Sequence, residues 1–148
     1  MDDSNRVLPH NLEAERAVLG AILIENKQHP RVASIVSATS FFRDAHRRMF
    51  THIELLIRAG VDADLLTLCE SLRVTGELDE SGGPAYIASL VDGIPRSSNA
   101  EYYAAIVRDK KRLRDIIMLG SALTGSAYGE EPPSGVVEQA LSGFSTLA

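Results

Sequence analysis

The sequence is poor in cysteine and in aromatic side chains, and these shortages limit the sites it can hold. It contains one cysteine and no tryptophan, and aromatic residues make up 5% of its 148 residues. A single cysteine excludes an intrachain disulfide and a zinc site built on paired cysteines, and it is compatible with a reducing compartment. We therefore expect a cytoplasmic protein.

Long apolar runs and an excess of basic charge are missing as well. The longest apolar runs, such as AVLGAILI at residues 17–24, fall far short of the roughly 20 residues that a membrane span requires. The first residues are acidic and are not followed by an apolar run, so no secretory signal is predicted. The net charge of −5 argues against a surface devoted to nucleic acid, although it leaves room for a local basic patch.

Motifs for nucleotide binding or nucleophilic catalysis are also missing. Gly82-Gly83-Pro84 precedes an apolar helical pattern, as phosphate-binding loops do. The chain has no Gly-Lys pair and no predicted strand before this loop, so we interpret the loop as a helix start. Cys69 lies on an apolar helix face, where a buried thiol is favoured over a nucleophile.

The histidines lack the spacing of metal ligands. His46 and His52 are separated by six positions in the sequence, which places them on different sides of one helix. No His-x-x-x-His pair is present, so a zinc site is disfavoured. We expect no catalytic residue, no cofactor and no metal ion in this chain.

Helical periodicity dominates the remaining pattern. Apolar residues recur at helical spacing in successive segments. Asn11 and Asp64 are the candidate caps at the start of two segments, and Gly60 and Gly76 are the candidate ends of two. Glu13 and Glu15 follow Asn11 in a first turn, where the helix dipole favours negative charge.

Two of the apolar faces can be named. The face after Asp64 consists of Leu65, Leu68, Cys69 and Leu72, and the face after Pro84 consists of Ile87, Leu90, Val91 and Ile94. A longer helix is predicted to begin at Ser98, since Ser98 and Glu101 have the spacing of a capping box. No segment alternates strictly between polar and apolar residues, so no strand is predicted. The expected fold is an all-α globule of about five to six helices followed by a projecting two-helix hairpin.

The domain organisation follows from a charged stretch and a cluster of helix breakers. Residues 108–114, RDKKRLR, interrupt the apolar stripe of the longest helix, and Gly129, Pro132 and Pro133 end it before a last amphipathic helix. We predict a flexible tail over residues 1–10, a globular subdomain over 11–107 and the hairpin over 108–148. Because the chain ends within a helical pattern, we also expect that it is a fragment of a longer protein, cut before a linker and a further domain.

The predicted hairpin carries more apolar residues than two helices can bury against each other. Large exposed apolar patches are costly in a monomer, so a partner surface is expected. The candidate interface residues are Ile116, Ile117, Leu119, Leu123, Val137, Leu141 and Phe144. The basic stretch offers a candidate anion or DNA contact through Arg108, Lys110, Lys111, Arg112 and Arg114. A solvated helix face is the favoured interpretation of that stretch, since no aromatic residues interleave with it.

Four segments taken together resemble a known family. They are LPHNLEAERAVLGAILIEN, FFRDAHRR, GELDESGGPAY and NAEYYAAIVRDK. They are similar to the amino-terminal domain of bacterial replicative DNA helicases of the DnaB type. The resemblance implies a domain that dimerises and then forms the collar of a hexameric ring, recruits primase, contacts loader proteins and helps guide a DNA strand. It also implies that ATP and Mg²⁺ bind in a separate domain outside this chain.

Two other interpretations stay open at this stage. A stand-alone adaptor of the same fold could bind a helicase or a primase, and a Gly-x-x-x-x-Gly-Lys-Ser/Thr motif in the gene beyond codon 148 would argue against it. A small all-α hydrolase that uses Cys69 or a histidine is the third interpretation. Through this domain, DNA binding is expected to be weak and salt-sensitive at most.

Overall fold

The computed structural model describes residues 6–92 and 99–148, and within these ranges its regular secondary structure is helical. The helices are α1 (Leu12–Ile24), α2 (His29–Ala33), α3 (Asp44–Arg58), α4 (Leu65–Val74), α5 (Gly83–Ser89), α6 (Ala100–Tyr128) and α7 (Pro133–Leu147). Short 3-10 turns lie at Asn26–Gln28 and Ala38–Ser40. The predicted all-α fold class is confirmed. None of the described helices is both long and apolar enough to cross a membrane.

The contacts divide the chain into two units. One is His10–Arg108, which contains α1 to α5 and the first part of α6. The other combines Asp109–Ala148 with the described part of Met1–Pro9. The tail and the subdomain boundaries derived from the sequence stay a prediction.

Local capping explains where α1 and α4 begin and where α3 and α4 end. The Asn11 side chain accepts a hydrogen bond from the first turn of α1 at 3.0 Å. Asp64 and Thr67 form a reciprocal capping box at the start of α4, with both bonds at 2.9 Å. Gly60 and Gly76 follow α3 and α4 with φ of 74° and 76°, the left-handed conformation that glycine adopts at low cost. These boundaries were predicted from the sequence and are confirmed.

Two predicted details near α5 and α6 differ from the structure or fall outside it. The pattern from Ile87 to Ile94 predicted one continuous helix face, but α5 ends at Ser89. Ile94 and the predicted cap Ser98 lie outside the described residues. Immediately before α6, the Asn99 side chain accepts a hydrogen bond from the Tyr102 backbone at 3.2 Å.

The core of the His10–Arg108 unit comes from the apolar faces of α1, α3, α4 and α5. Its large, fully buried side chains include Leu19, Ile22, Met49, Phe50, Ile53, Leu68, Leu72 and Ile87. Burying a side chain of this size stabilises a fold by about 1.5–3 kcal/mol. The packed core therefore holds these four helices in fixed positions within the His10–Arg108 unit.

Asn26 links the end of α1 to the loop before α4. Its amide nitrogen donates to the carbonyl oxygens of Ile22 at 2.8 Å and Ala63 at 2.9 Å, and its Oδ1 accepts from the Ala63 backbone at 2.8 Å. The side chain thus satisfies backbone groups that the loop leaves without helical partners. These three hydrogen bonds of Asn26 hold the α3–α4 loop against α1.

Candidate protein-interaction site

A buried polar network joins α1, α3 and α5. The Glu15 carboxylate accepts from the Phe42 backbone at 2.8 Å and pairs with His46 Nδ1 at 2.8 Å, while His46 Nε2 lies 2.6 Å from the Tyr86 hydroxyl. Glu15 and His46 are 1% and 0% exposed. An ionised carboxylate only accepts hydrogen bonds, so Nδ1 carries a proton, and Nε2 can then accept the tyrosine proton. Glu15 and His46 are closed to solvent and Tyr86 is half-buried, so the network stabilises the packing of α1, α3 and α5.

The Gly82-Gly83-Pro84 loop leads into α5, which begins at Gly83, as the sequence predicted. Gly82 and Gly83 have φ of 93° and 80°, conformations that favour glycine. A Cβ on Gly82 would lie 2.7 Å from Cδ1 of Tyr86, so the tyrosine ring occupies the space beside the loop. The Arg43 guanidinium lies 4.9 Å from the centre of that ring, within cation–π range.

His29 and His52 make structural contacts too, and Cys69 is partly buried. His52 Nδ1 lies 2.7 Å from Ser71 Oγ, and His29 Nε2 lies 3.1 Å from the Glu54 carboxylate. Within the described ranges, no three histidine, cysteine or acidic side chains are grouped so that they could hold a metal ion. Burial raises the pKa of the Cys69 thiol, which disfavours the nucleophilic thiolate.

The candidate interface residues of the hairpin are largely open to solvent. Leu141 is 69% exposed, and Ile116, Ile117, Val137 and Phe144 are also exposed, while Leu119 and Leu123 are half-buried. No residue of α7 is buried. In the hairpin part of α6, over residues 108–128, three further exposed apolar residues were not among the candidates: Leu113, Met118 and Tyr128. The apolar surplus is therefore present in the structure, and its role as an interface stays a prediction.

The two hairpin helices approach closely at Gly143. A Cβ at this position would lie 2.7 Å from Cδ1 of Leu119, closer than real Cβ atoms come. Glycine on α7 thus makes room for a leucine from α6, and the contact leaves the exposed faces of both helices uncovered. The two hairpin helices thus pack against each other at Gly143 and Leu119, and their exposed apolar residues form a separate surface.

The basic stretch on α6 is less available than the sequence suggested. Arg114 is 7% exposed, and its Nη1 donates to the Pro9 carbonyl at 2.8 Å. Lys111 is half-buried and pairs with Asp115 at 2.5 Å. Arg108 and Lys110 are half-buried and Arg112 is exposed. Arg114 is therefore a poor candidate for an anion or DNA contact, because its guanidinium is committed to a backbone carbonyl.

Comparison with known proteins identifies the family. The model of the DnaB-like helicase N-terminal domain matches residues 7–109. The chain belongs to the DnaB-like helicase N-terminal domain family. It is 39% identical over 132 residues to the replicative DNA helicase DnaB of Treponema pallidum, covering 89% of the chain and 30% of that protein. The Haemophilus influenzae DnaB is 42% identical over 120 residues, which cover 81% of the chain and 26% of the relative.

Solved structures agree with this DnaB assignment. The N-terminal domain of DnaB helicase from Mycobacterium tuberculosis superposes with a TM-score of 0.90 at 30% identity, covering 96% of the chain and all of that domain. A DnaB-like replicative helicase, solved in a study of its interactions with primase, has a TM-score of 0.74 at 20% identity and covers 93% of the chain and 32% of its own chain. The second match shows the fold alone. The chain spans less than a third of the curated DnaB relatives that it matches.

Sequence reasoning missed the Glu15–His46–Tyr86 network, although its signal was present. Glu15 has the apolar residues Val18, Leu19 and Ile22 at the third, fourth and seventh positions after it, and His46 has Met49, Phe50 and Ile53 at the same spacings. A polar residue at the head of a buried stripe faces the core together with that stripe. A buried polar side chain needs a hydrogen-bond partner, and Glu15 and His46 bond to each other.

Proposed function

We propose that this chain is the collar domain of a hexameric replicative DNA helicase, acting in DNA replication through self-association and recruitment of primase. The observation that carries the proposal is the exposed apolar face of the hairpin on a chain of the DnaB N-terminal family. Exposed apolar surface on this scale is typical of a protein interface. Catalysis has no part in the proposal.

The proposed self-association is supported by the exposed apolar residues of α7. Val137, Leu141 and Phe144 recur at helical spacing on α7, and each is exposed. A two-fold contact between two hairpins would bury the same apolar patch on both partners. Dimers formed in this way are the proposed building block of the ring.

Recruitment of primase, and contact with a loader, are inferred from the family. A DnaB-like helicase whose structure was studied for its interactions with primase shares the fold of this chain. We assign the ATP and Mg²⁺ chemistry of the parent helicase to sequence outside these residues. Contact of this domain with DNA is proposed to be weak, because the net charge is −5 and Arg114 is buried.

Calorimetric titration of purified bacterial primase into the 148-residue chain tests recruitment. We expect saturable binding to the wild-type chain. Repeating the titration with Leu141→Lys shows whether recruitment needs the assembled hairpins, and Tyr102→Lys, at an exposed position outside the hairpin, is the matched control. Failure of the wild-type chain to bind primase at high micromolar concentration would reject the recruitment half of the proposal.

Fluorescence anisotropy with a labelled single-stranded oligonucleotide tests the DNA part separately. We expect binding at low ionic strength that disappears at physiological salt, because few phosphates would be neutralised. Tight binding at physiological salt would contradict the proposal. Arg112→Ala, which removes an exposed basic side chain, would then show whether the basic stretch is responsible.

A further inference from the structure

A surface groove runs between α3 and α4, outside the hairpin. Its cavity volume is about 590 Å³, and its walls include Leu55, Leu56, Val61, Leu66 and Val74. Ser71 lies in the same groove, with the buried His52 ring beside it. The walls of the groove are thus mainly aliphatic, and two of its polar groups bond to each other, since His52 Nδ1 lies 2.7 Å from Ser71 Oγ.

Several apolar side chains of this groove do not pack in the core and are exposed to solvent. On α4, Leu68 and Leu72 are fully buried and face the core, whereas Leu66 is 79% exposed and Val74 is 71% exposed. Leu66, Glu70 and Val74 are spaced four residues apart, so they form one outward-facing row on the helix. Leu55 on α3 supplies the opposite wall and is 49% exposed.

The groove has the shape that accepts a helix. Two packed helices leave a trough between them, and an amphipathic helix can place apolar residues at i, i+4 and i+7 into such a trough. The row from Leu66 to Val74 spans about 12 Å at the rise of an α-helix. About two turns of a partner helix would cover that length.

The charge around the groove favours a basic partner. Residues 48–80, which build the groove and its surroundings, contain seven acidic side chains and three basic ones, Arg48, Arg58 and Arg73. Arg48 pairs with Glu77 and Glu80, and acidic side chains remain in excess. Glu70 lines the groove, and Asp62 directly follows Val61 at one end of it. Arg73 donates to the Glu70 carboxylate at 2.6 Å and lowers the pKa of Glu70, so Glu70 stays ionised. The surroundings therefore carry net negative charge that a cationic helix would complement.

From this combination we propose that the α3–α4 groove is a docking site for a basic amphipathic helix of a partner protein. Leucine-sized side chains of that helix pack between Leu55 and Leu66, and its lysines or arginines lie toward Asp62 and Glu70. The site differs from the hairpin surface and does not depend on self-association. It gives the domain a second way to hold a partner.

A synthetic helical peptide serves as the probe, with leucines on one face and lysines on the other. Chemical-shift mapping by NMR on the isotope-labelled chain locates the peptide, and calorimetry measures its affinity. A peptide with the same leucines but glutamates in place of the lysines controls for charge. Leu66→Lys and Val74→Lys test the groove, and Tyr102→Lys, which makes the same charge change at an exposed residue of α6, is the matched control.

The expected result is a set of shifts confined to α3 and α4. We expect Leu66→Lys and Val74→Lys to weaken binding of the lysine peptide roughly tenfold or more, the effect of losing a central interface residue. Tyr102→Lys should leave the affinity unchanged. Circular dichroism spectra should match the wild type, since both groove residues are solvent-exposed.

Three outcomes would overturn the proposal. Equal affinity for the lysine and glutamate peptides would remove the charge argument. Shifts centred on the hairpin would place the docking site elsewhere. A lower molecular mass of Leu66→Lys in sedimentation, compared with the wild-type chain, would show that a second copy of this chain occupies the groove.

Discussion

Replacing Glu15 with alanine is expected to destabilise the fold by about 4 kcal/mol. The carboxylate accepts hydrogen bonds from the Phe42 backbone and from His46 Nδ1, both at 2.8 Å, and it is 1% exposed. The substitution leaves two donors, the Phe42 backbone N–H and His46 Nδ1–H, without an acceptor, and each such loss costs about 1–3 kcal/mol. Glu15→Gln keeps one carbonyl acceptor and the volume, so a smaller loss of about 2 kcal/mol is expected.

Urea unfolding followed by far-UV circular dichroism measures this loss as a shift of the transition midpoint at an unchanged slope. Glu13→Ala is the matched control, because Glu13 lies in the same helical turn and is exposed. We expect the control to stay within about 0.5 kcal/mol of the wild type. If Glu15→Ala were as stable as Glu13→Ala, the network would not hold α1 to α3 and the reasoning would be refuted.

Three further predictions concern other groups. Tyr86→Phe removes the hydroxyl that lies 2.6 Å from His46 Nε2, and a loss of about 1 kcal/mol is expected in the same urea assay; no loss would mean that the bond is made equally well to water. Burial raises the pKa of Cys69, so its reaction with a disulfide reagent at neutral pH should be slower in the folded chain than in urea, and equal rates would contradict this. The hydrogen bond from Arg48 lowers the pKa of Asp44, so this pair stabilises the fold near neutral pH and the contribution disappears as pH falls through the lowered value. Asp44→Asn should therefore reduce the melting temperature slightly at neutral pH, and the difference should shrink in acid; a constant difference across that range would be inconsistent with the ion pair.

The sequence predicted those parts of the fold that depend on local interactions. Asn11 and Asp64 cap helices whose apolar stripes begin within a few residues of the caps, and Gly60 and Gly76 end helices in the left-handed conformation. Each of these signals acts within about one turn of the helix that it defines. These four bounds could therefore be derived without knowing how the helices pack, whereas the end of α5 could not.

Interactions between distant residues were not predicted. Glu15 was interpreted as an acidic residue in the first turn of α1, where the helix dipole favours negative charge. Its actual partner lies 31 residues away on α3, and no spacing rule connects the two. The same limit applies to Arg114, which was grouped with its basic neighbours until the structure showed its bond to the Pro9 carbonyl.

The α3–α4 groove was missed for a different reason. The core stripe of α4 was identified through Leu65, Leu68, Cys69 and Leu72, and residues off that stripe were left aside. Leu66 and Val74 are apolar and lie off the stripe, which is the available signal for a second apolar face. That face becomes a groove only because Leu55 of α3 stands opposite, a contact that the sequence pattern does not specify.

Sedimentation velocity over a range of concentrations tests the central claim, that the exposed hairpin face mediates assembly. The wild-type chain is expected to sediment with a mass that rises above the 16.0 kDa monomer as concentration increases. Leu141→Lys, which places a charge in the exposed face of α7, should remain at 16.0 kDa, while Tyr102→Lys should behave like the wild type. A wild-type chain that stays monomeric at high micromolar concentration, or a Leu141→Lys chain that assembles as the wild type does, would contradict the account.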